Sequence, residues 1–309
     1  MQAKENKIID LFSIQNTIFT IPVYQRNYNW TEKECKRLYN DIFEIGENQN
    51  IDSYFIGSIV YIHEGISSAL EREFYIIDGQ QRMTTLTLLF LALCHILKEN
   101  EITENEASRI FNQYIINPFS KKEVKLKLIP SKDNGNLEIL NKISNDKIEE
   151  LNEYNNTNML KNYLFFKNNL RKLNKEQINY FLEGINKLIY IDVSLENGKD
   201  NPQRIFESLN STGLDLSEGD LIRNHILINL ERDKQNRIYK DIWIPIENNC
   251  EVIEKESIVS YVSDFIRDYL TLKTREIPNK NKVFEEFKKF YTENFDEKLE
   301  ELKKYSKAY

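Results

Sequence analysis

Apolar positions recur along the chain with two different periods. The run IFTIPVY over residues 18–24 is β-branched and aromatic and predicts a strand, with Pro22 at its end or edge. A short apolar run, Ile8 to Phe12, precedes it. Thr31 and Glu34 then form the T-x-x-E pattern of a capping box. Behind that pattern Cys35, Leu38, Tyr39, Ile42 and Ile45 fall at i, i+3, i+4, i+7 and i+10, one apolar stripe of a helix. YFIGSIVYI (54–62) and EREFYII (71–77) predict two further strands. Gly57 interrupts the first of these, which marks a bulge or a close backbone approach. The second ends in Asp78-Gly79, a sharp turn, and RMTTLTLLFLALCHILK follows as a helix apolar on nearly every side, hence central to a core.

Past residue 100 the texture changes. KEVKLKLIP (122–130) alternates charged and apolar residues and predicts one strand, and LIYIDVSL (188–195) predicts the last. Helical periods cover 147–171, 175–187, 202–210, 218–232, 236–247, 257–272 and 281–309, while the Asn- and Lys-rich stretch 141–158 predicts a solvated loop with polar helix ends. The expected class is α+β: a small mixed α/β domain over residues 1–100, then a mainly helical domain over 101–309. The amphipathic pattern runs on to the last residue, so the helical domain is expected to continue in a longer protein.

Composition narrows the function. With 9 Gly and 6 Pro in 309 residues, breakers are scarce and long helices are favoured. A formal charge of −7 and a pI near 5.3 exclude coating nucleic acid by bulk charge, while leaving local basic patches open. Cys35, Cys94 and Cys250 are far apart, as free thiols of a reducing compartment are. The N-terminus lacks the apolar stretch of a signal peptide, and the run from Met83 to Leu97 is shorter than a membrane span. A cytoplasmic protein without a membrane partner is expected. His63, His95 and His225 are isolated, which opposes a His/Cys zinc site, and no GxxxxGK[ST], GxGxxG or GxSxG motif is present.

Three segments could carry chemistry. In IIDGQQRMTT (76–85) a glycine turn opens a helix, whose first N–H groups and dipole favour an anion. Arg82 in the first turn opposes that dipole unless it pairs with an anion, either a ligand phosphate or a carboxylate such as Asp78. Gln80 and Gln81 could orient a water or read a base edge, and Asp78 could hold a metal-bound water. The plainer alternative is an Asp-capped helix with an exposed polar first turn. In IPVYQRNYNW (21–30) Arg26 stands among aromatics and amides, which suits phosphate pairing and base stacking; equally, Tyr28 and Trp30 could pack on a core while Arg26 meets a carboxylate. In FESLNSTGLDLSEGDLIRN (206–224) a helix, a turn and a second helix capped by Ser217 form a corner. There Arg223 and Asn224 are either ligand groups or a buried hydrogen-bond network. The lysines at 121, 122, 125, 127 and 132 form either a solvated strand face or a nucleic-acid contact.

Together these segments, with FIGSIV between the first two, resemble the GmrSD-type restriction-system N-terminal domain family, also called domain of unknown function 262, in order and spacing over essentially the whole chain. The resemblance implies a ParB/sulfiredoxin-like N-terminal fold and a role in bacterial defence against phage or modified DNA. It implies nucleoside triphosphate binding and hydrolysis at the DGQQR box, with Mg²⁺. Carried over by residue, Asp78, Gln80, Gln81 and Arg82 become catalytic candidates, with Asp78 as the metal ligand. Tyr24, Gln25, Arg26, Gly79, Thr84, Asn210, Arg223 and Asn224 become nucleotide-binding candidates, and Gly213 and Asp220 match the third motif. Many members continue into an HNH nuclease domain. Here the last histidine is His225, so cleavage is expected beyond residue 309 or in a separate nuclease subunit. Expected partners are a nucleotide, DNA with or without modification, that nuclease and a second copy of the chain. A non-catalytic DNA-recognition or assembly module, and a ParB-like nuclease domain, are the alternatives.

Overall fold

The computed structural model describes residues 2–67, 71–99, 104–120, 122–131, 134–196, 199–210, 216–228, 230–254, 257–292 and 295–309. The chain forms two compact units, Met1–Pro22 with Arg26–Asp200, and Val23–Gln25 with Asn201–Tyr309.

The first unit is built on a mixed sheet. Its strands are β1 (Gln2–Lys7), β2 (Thr17–Ile21), β3 (Tyr54–Ser67), β4 (Glu71–Asp78), β5 (Leu128–Pro130) and β6 (Leu188–Glu196), in the order β1-β6-β3-β4-β2-β5. The β1–β6 and β3–β4 pairs are antiparallel, and β6–β3, β4–β2 and β2–β5 are parallel. Strand β1 reads QAKENK and gives no apolar signal, because it is an edge strand ordered by its ladder with β6 rather than by burial.

Seven helices accompany the sheet: α1 (Ile8–Ser13), α2 (Glu32–Glu47), α3 (Gln80–Lys98), α4 (Glu104–Ile110), α5 (Asn136–Ser144), α6 (Asn158–Leu170) and α7 (Lys175–Asn186). The capping box at α2 is fully formed, with Thr31 and Glu34 each bonding the other's backbone. Helix α3 is buried on all sides, from Met83 to Leu97. Helices α2 and α7 cross backbone to backbone: a Cβ at Gly46 would lie 1.8 Å from the Tyr180 carbonyl oxygen, and one at Gly184 1.9 Å from that of Ile42.

This unit runs to Asp200, well past the boundary near residue 100 that the change in texture suggests. The physical reason is that β6 sits between β1 and β3, while α6 and α7 pack on α3 and α2, so residues after 100 complete the same core. Two local expectations also change. The strand expected over 122–130 shortens to β5, and the helix expected from 147 becomes a 3₁₀ turn, Ile148–Tyr154, before Thr157 caps α6. The lysine run is not one surface. Lys127 is buried, its ammonium donating to the carbonyls of Phe12, Ile14 and Gln113 at 2.6, 3.0 and 2.5 Å, and Lys122 pairs with Glu73 at 3.3 Å. Lys121 and Lys132 lie outside the described residues.

The second unit is mainly helical, with α8 (Pro202–Asn210), α9 (Glu218–Leu227), α10 (Arg232–Ile238), α11 (Ile244–Asn249), α12 (Val262–Thr274), α13 (Val283–Phe290) and α14 (Phe295–Ser306). An antiparallel pair of strands, β7 (Glu251–Glu254) and β8 (Ser257–Ser260), is also present, and β8 occupies the place where the periodicity predicts the first turn of a helix. Sheet and helices together make the α+β class. Among the described residues no helix is long and apolar enough to cross a membrane.

Candidate functional site

Strand β4 delivers the chain to Gly79, whose φ of +92° is open to glycine and costly for other residues. Space forbids a side chain there as well: a Cβ would lie 3.0 Å from Ile59 Cγ1 and 3.1 Å from the Ser58 carbonyl oxygen. The tight turn puts the N-terminus of α3 directly after β4. No side chain caps that helix, so its first N–H groups remain available as donors.

The side chains that follow divide by what they hold. Gln81 is buried, and both ends of its amide are engaged. Its Oε1 accepts from the N–H groups of Asn29 and Trp30 at 2.9 and 3.2 Å, and its Nε2 donates to the Asn27 carbonyl at 3.0 Å. Tyr28 in the same segment meets Thr85 Oγ1 at 2.8 Å, and Asn162 Nδ2 donates to the Tyr28 hydroxyl and the Trp30 carbonyl at 2.9 and 2.8 Å. Burial drives the Tyr28 hydroxyl far above its ordinary pKa. The first and second motifs are thus joined through Gln81, which serves as a clamp on residues 27–30 rather than a group free to orient water.

Gln80 and Thr84 lie one helical turn apart and are 7% and 2% exposed, and neither side chain makes a hydrogen bond among the described residues. Arg82 is intermediate. Its Nη1 donates to the Ser58 carbonyl at 2.8 Å and stands 3.7 Å from Asp78 Oδ2, with both side chains 30% exposed. Its Nε and Nη2 donate to nothing among the described residues. That pair of donors is the edge of a guanidinium that grips an oxyanion in a bidentate manner. Arg26 is half-buried.

In the second unit the sequence-predicted groups are more fully committed. Arg223 is 5% exposed, its Nε donating to the Tyr24 carbonyl at 2.7 Å, Nη1 to Glu247 at 2.6 Å and Nη2 to Asp220 at 2.5 Å. Trp243 Nε1 donates to the same Glu247 oxygen at 2.8 Å. Burial acts against the Arg223 charge, but the Asp220 and Glu247 carboxylates more than offset it and raise the pKa. All three nitrogens of Arg223 thus donate to protein acceptors, which ties α9 to Tyr24 and Glu247. Tyr24 and Gln25 are buried, 3% and 4% exposed. Asn224 is 2% exposed, and its Oδ1 has no hydrogen-bond partner among the described residues. Ser217 caps α9 as its position predicts, accepting from the Asp220 N–H at 3.1 Å. The side chain of Asn210, and Gly213 altogether, lie outside the described residues.

With this geometry in place, the family model described as "GmrSD restriction endonuclease, N-terminal domain" matches residues 8–227, more than half of the chain. The chain belongs to this family. No curated protein matches the sequence significantly. The GmrSD N-terminal match takes in the clamp, the Asp78–Arg82 turn and Arg223, while Trp243 and Glu247, two partners in the Arg223 network, lie past its end. Neither was singled out in the sequence, because nothing in one chain pairs Arg223 with a carboxylate 24 residues later. Asn162 was missed for the same reason.

Among the described residues no three His, Cys, Asp or Glu side chains converge as a metal site. Asp78 therefore belongs to no such cluster among the described residues. It fits a Mg²⁺ held mostly by nucleotide phosphates and water, the usual arrangement for that ion, and not a resident metal in a protein cage.

Proposed function

We propose that this domain binds a nucleoside triphosphate with Mg²⁺ at the Asp78–Arg82 turn and hydrolyses it as the regulatory chemistry of a DNA restriction system. The observation that carries the reading is the Nε/Nη2 edge of Arg82, which donates to nothing among the described residues, together with the N-terminus of α3, which no side chain caps. A cationic fork and a row of backbone donors suit the oxygens of a phosphate chain. Gln80, buried and without a hydrogen-bond partner among the described residues, would orient the attacking water, and Thr84 one turn on would offer a hydroxyl to the same ligand. Asp78 would bind Mg²⁺ directly or through water, and the ion would neutralise developing phosphate charge. The family description speaks of a restriction endonuclease, and DNA, modified or not, would then be the substrate of a nuclease to which this domain is coupled.

The test is phosphate release from ATP, GTP, CTP and UTP with Mg²⁺, with and without DNA, comparing the wild-type chain with Arg82→Ala. Turnover that disappears in the variant while the fold persists supports the reading. Full turnover by Arg82→Ala, or no binding of any of the four nucleotides, overturns it. DNA binding that falls steeply with salt and ignores nucleotide would identify a recognition module instead.

A further inference from the structure

Gly57 in β3 has a φ of +112° and sits where the β3–β6 register slips, between Phe55 and Ser58. The reason for a glycine in mid-strand lies across from it. A Cβ built on Gly57 would lie 2.7 Å from both Cζ and Nε of Arg82 and 2.8 Å from its Nη2. Three nearly equal distances to Nε, Cζ and Nη2 show that the guanidinium fills the space a side chain at position 57 would need, with its Nε/Nη2 side against Gly57. The next residue supplies the remaining restraint, as the Ser58 carbonyl takes the Nη1 proton at 2.8 Å. Strand β3 therefore holds Nη1 through the Ser58 carbonyl and lies against the Nε/Nη2 side at Gly57, while Nε and Nη2 themselves donate to nothing among the described residues.

We propose that Gly57 is a positioning residue for Arg82: the missing side chain makes a seat in the bulge of β3 that holds the guanidinium so that its two-donor edge meets an oxyanion. This rests on the reading of the turn as a phosphate site and adds to it the residue that sets the angle of the arginine. Long arginine side chains lose rotamer freedom on binding, and a seat that fixes the plane beforehand lowers that cost. Any side chain at 57 would occupy the place of the guanidinium.

The experiment is a double-mutant cycle on binding of the four Mg-nucleotides, each measured by calorimetry, for wild type, Gly57→Ala, Arg82→Ala and the double variant. Gly57→Ala is expected to weaken binding at least 10-fold, and the double variant to bind as Arg82→Ala does, within 2-fold. Wild-type affinity in Gly57→Ala, or effects that multiply in the double variant, would overturn the inference. Should Gly57→Ala fail to fold, Arg82→Lys decides: a point charge without a fork is expected to bind as poorly as Arg82→Ala, and wild-type affinity there would sink the idea. A second readout separates this inference from the function. The ¹⁵N Nε–H resonance of Arg82, assigned by its loss in Arg82→Ala, is expected to move in Gly57→Ala. If no nucleotide binds the wild type but the resonance moves, the nucleotide reading fails and the seat survives; if the resonance stays, the seat fails.

Discussion

Two arginines in this molecule begin from similar sequence contexts and end in opposite states. Arg223 is buried and gives all three of its nitrogens to Tyr24, Glu247 and Asp220. Arg82 is 30% exposed, holds one carbonyl, stands 3.7 Å from one carboxylate and keeps an edge free. The difference teaches that an arginine in a family motif is a ligand candidate only when its donors are unequally used. A saturated buried arginine stabilises a fold, because removing it strands the carboxylates it neutralised. An unsaturated one at a turn can be removed cheaply and takes a function with it.

The largest test of this contrast is Arg223→Ala. It is expected to lose about 3–5 kcal/mol of stability, the usual penalty for breaking a buried pair. Arg82→Ala is expected to lose less than about 1 kcal/mol, as a partly solvated ion pair does. Denaturant unfolding of both variants checks this, and equal losses would break the comparison.

His95 sharpens it from another side. Its Nδ1 meets the Tyr163 hydroxyl at 2.6 Å, but its Nε2 is buried without a partner, so a polar atom lacking a bond is not by itself a ligand site. Burial pushes the His95 pKa down to about 4, against the pull of Asp146. The unfolded chain takes up this proton near pH 6.5, whereas the folded chain resists until about pH 4. Stability is therefore expected to fall by roughly 2–3 kcal/mol as pH drops through that window, and to level off below it. Unfolding free energies measured from pH 7 to 4 should show the slope in wild type and a shallower one in His95→Gln.

Gln81→Ala comes next. It leaves the Asn29 and Trp30 N–H groups without their acceptor, and a loss of about 1–3 kcal/mol is expected, with faster amide exchange at both positions. Gln80→Ala, its neighbour, removes an amide that makes no hydrogen bond among the described residues and should cost less than Gln81→Ala. Reversal of that order in thermal or chemical unfolding would show the two glutamines to be wrongly sorted.

The elements were largely legible in the sequence because they follow local rules. The capping box, the all-apolar α3, the β4–Gly79 turn and the Ser217 cap each depend on residues within a few positions of one another. What was not legible depends on distant pairing. Strand β1 has a polar sequence and exists through β6, and the first unit extends to Asp200 because β6 returns to the middle of the sheet. At the site, residue types identified the turn, but the division of labour between Gln80 and Gln81 arises from the backbone of residues 27–30, about fifty positions upstream. Gly57 was legible in the sequence as the mark of a bulge or a close approach, but not what approaches it, since Arg82 is named by space and not by order along the chain.

The bond from Arg223 to the Tyr24 carbonyl spans 199 positions. At about 5–20 residues per second on a ribosome, Tyr24 is made roughly 10–40 s before the side chain that holds its carbonyl exists. The tripeptide Val23–Gln25 must therefore wait, with its apolar and aromatic side chains unburied by their final neighbours, until the last third of the protein emerges. During translation, completion of the second unit is a late event, and the chain carries an early-made piece of it throughout.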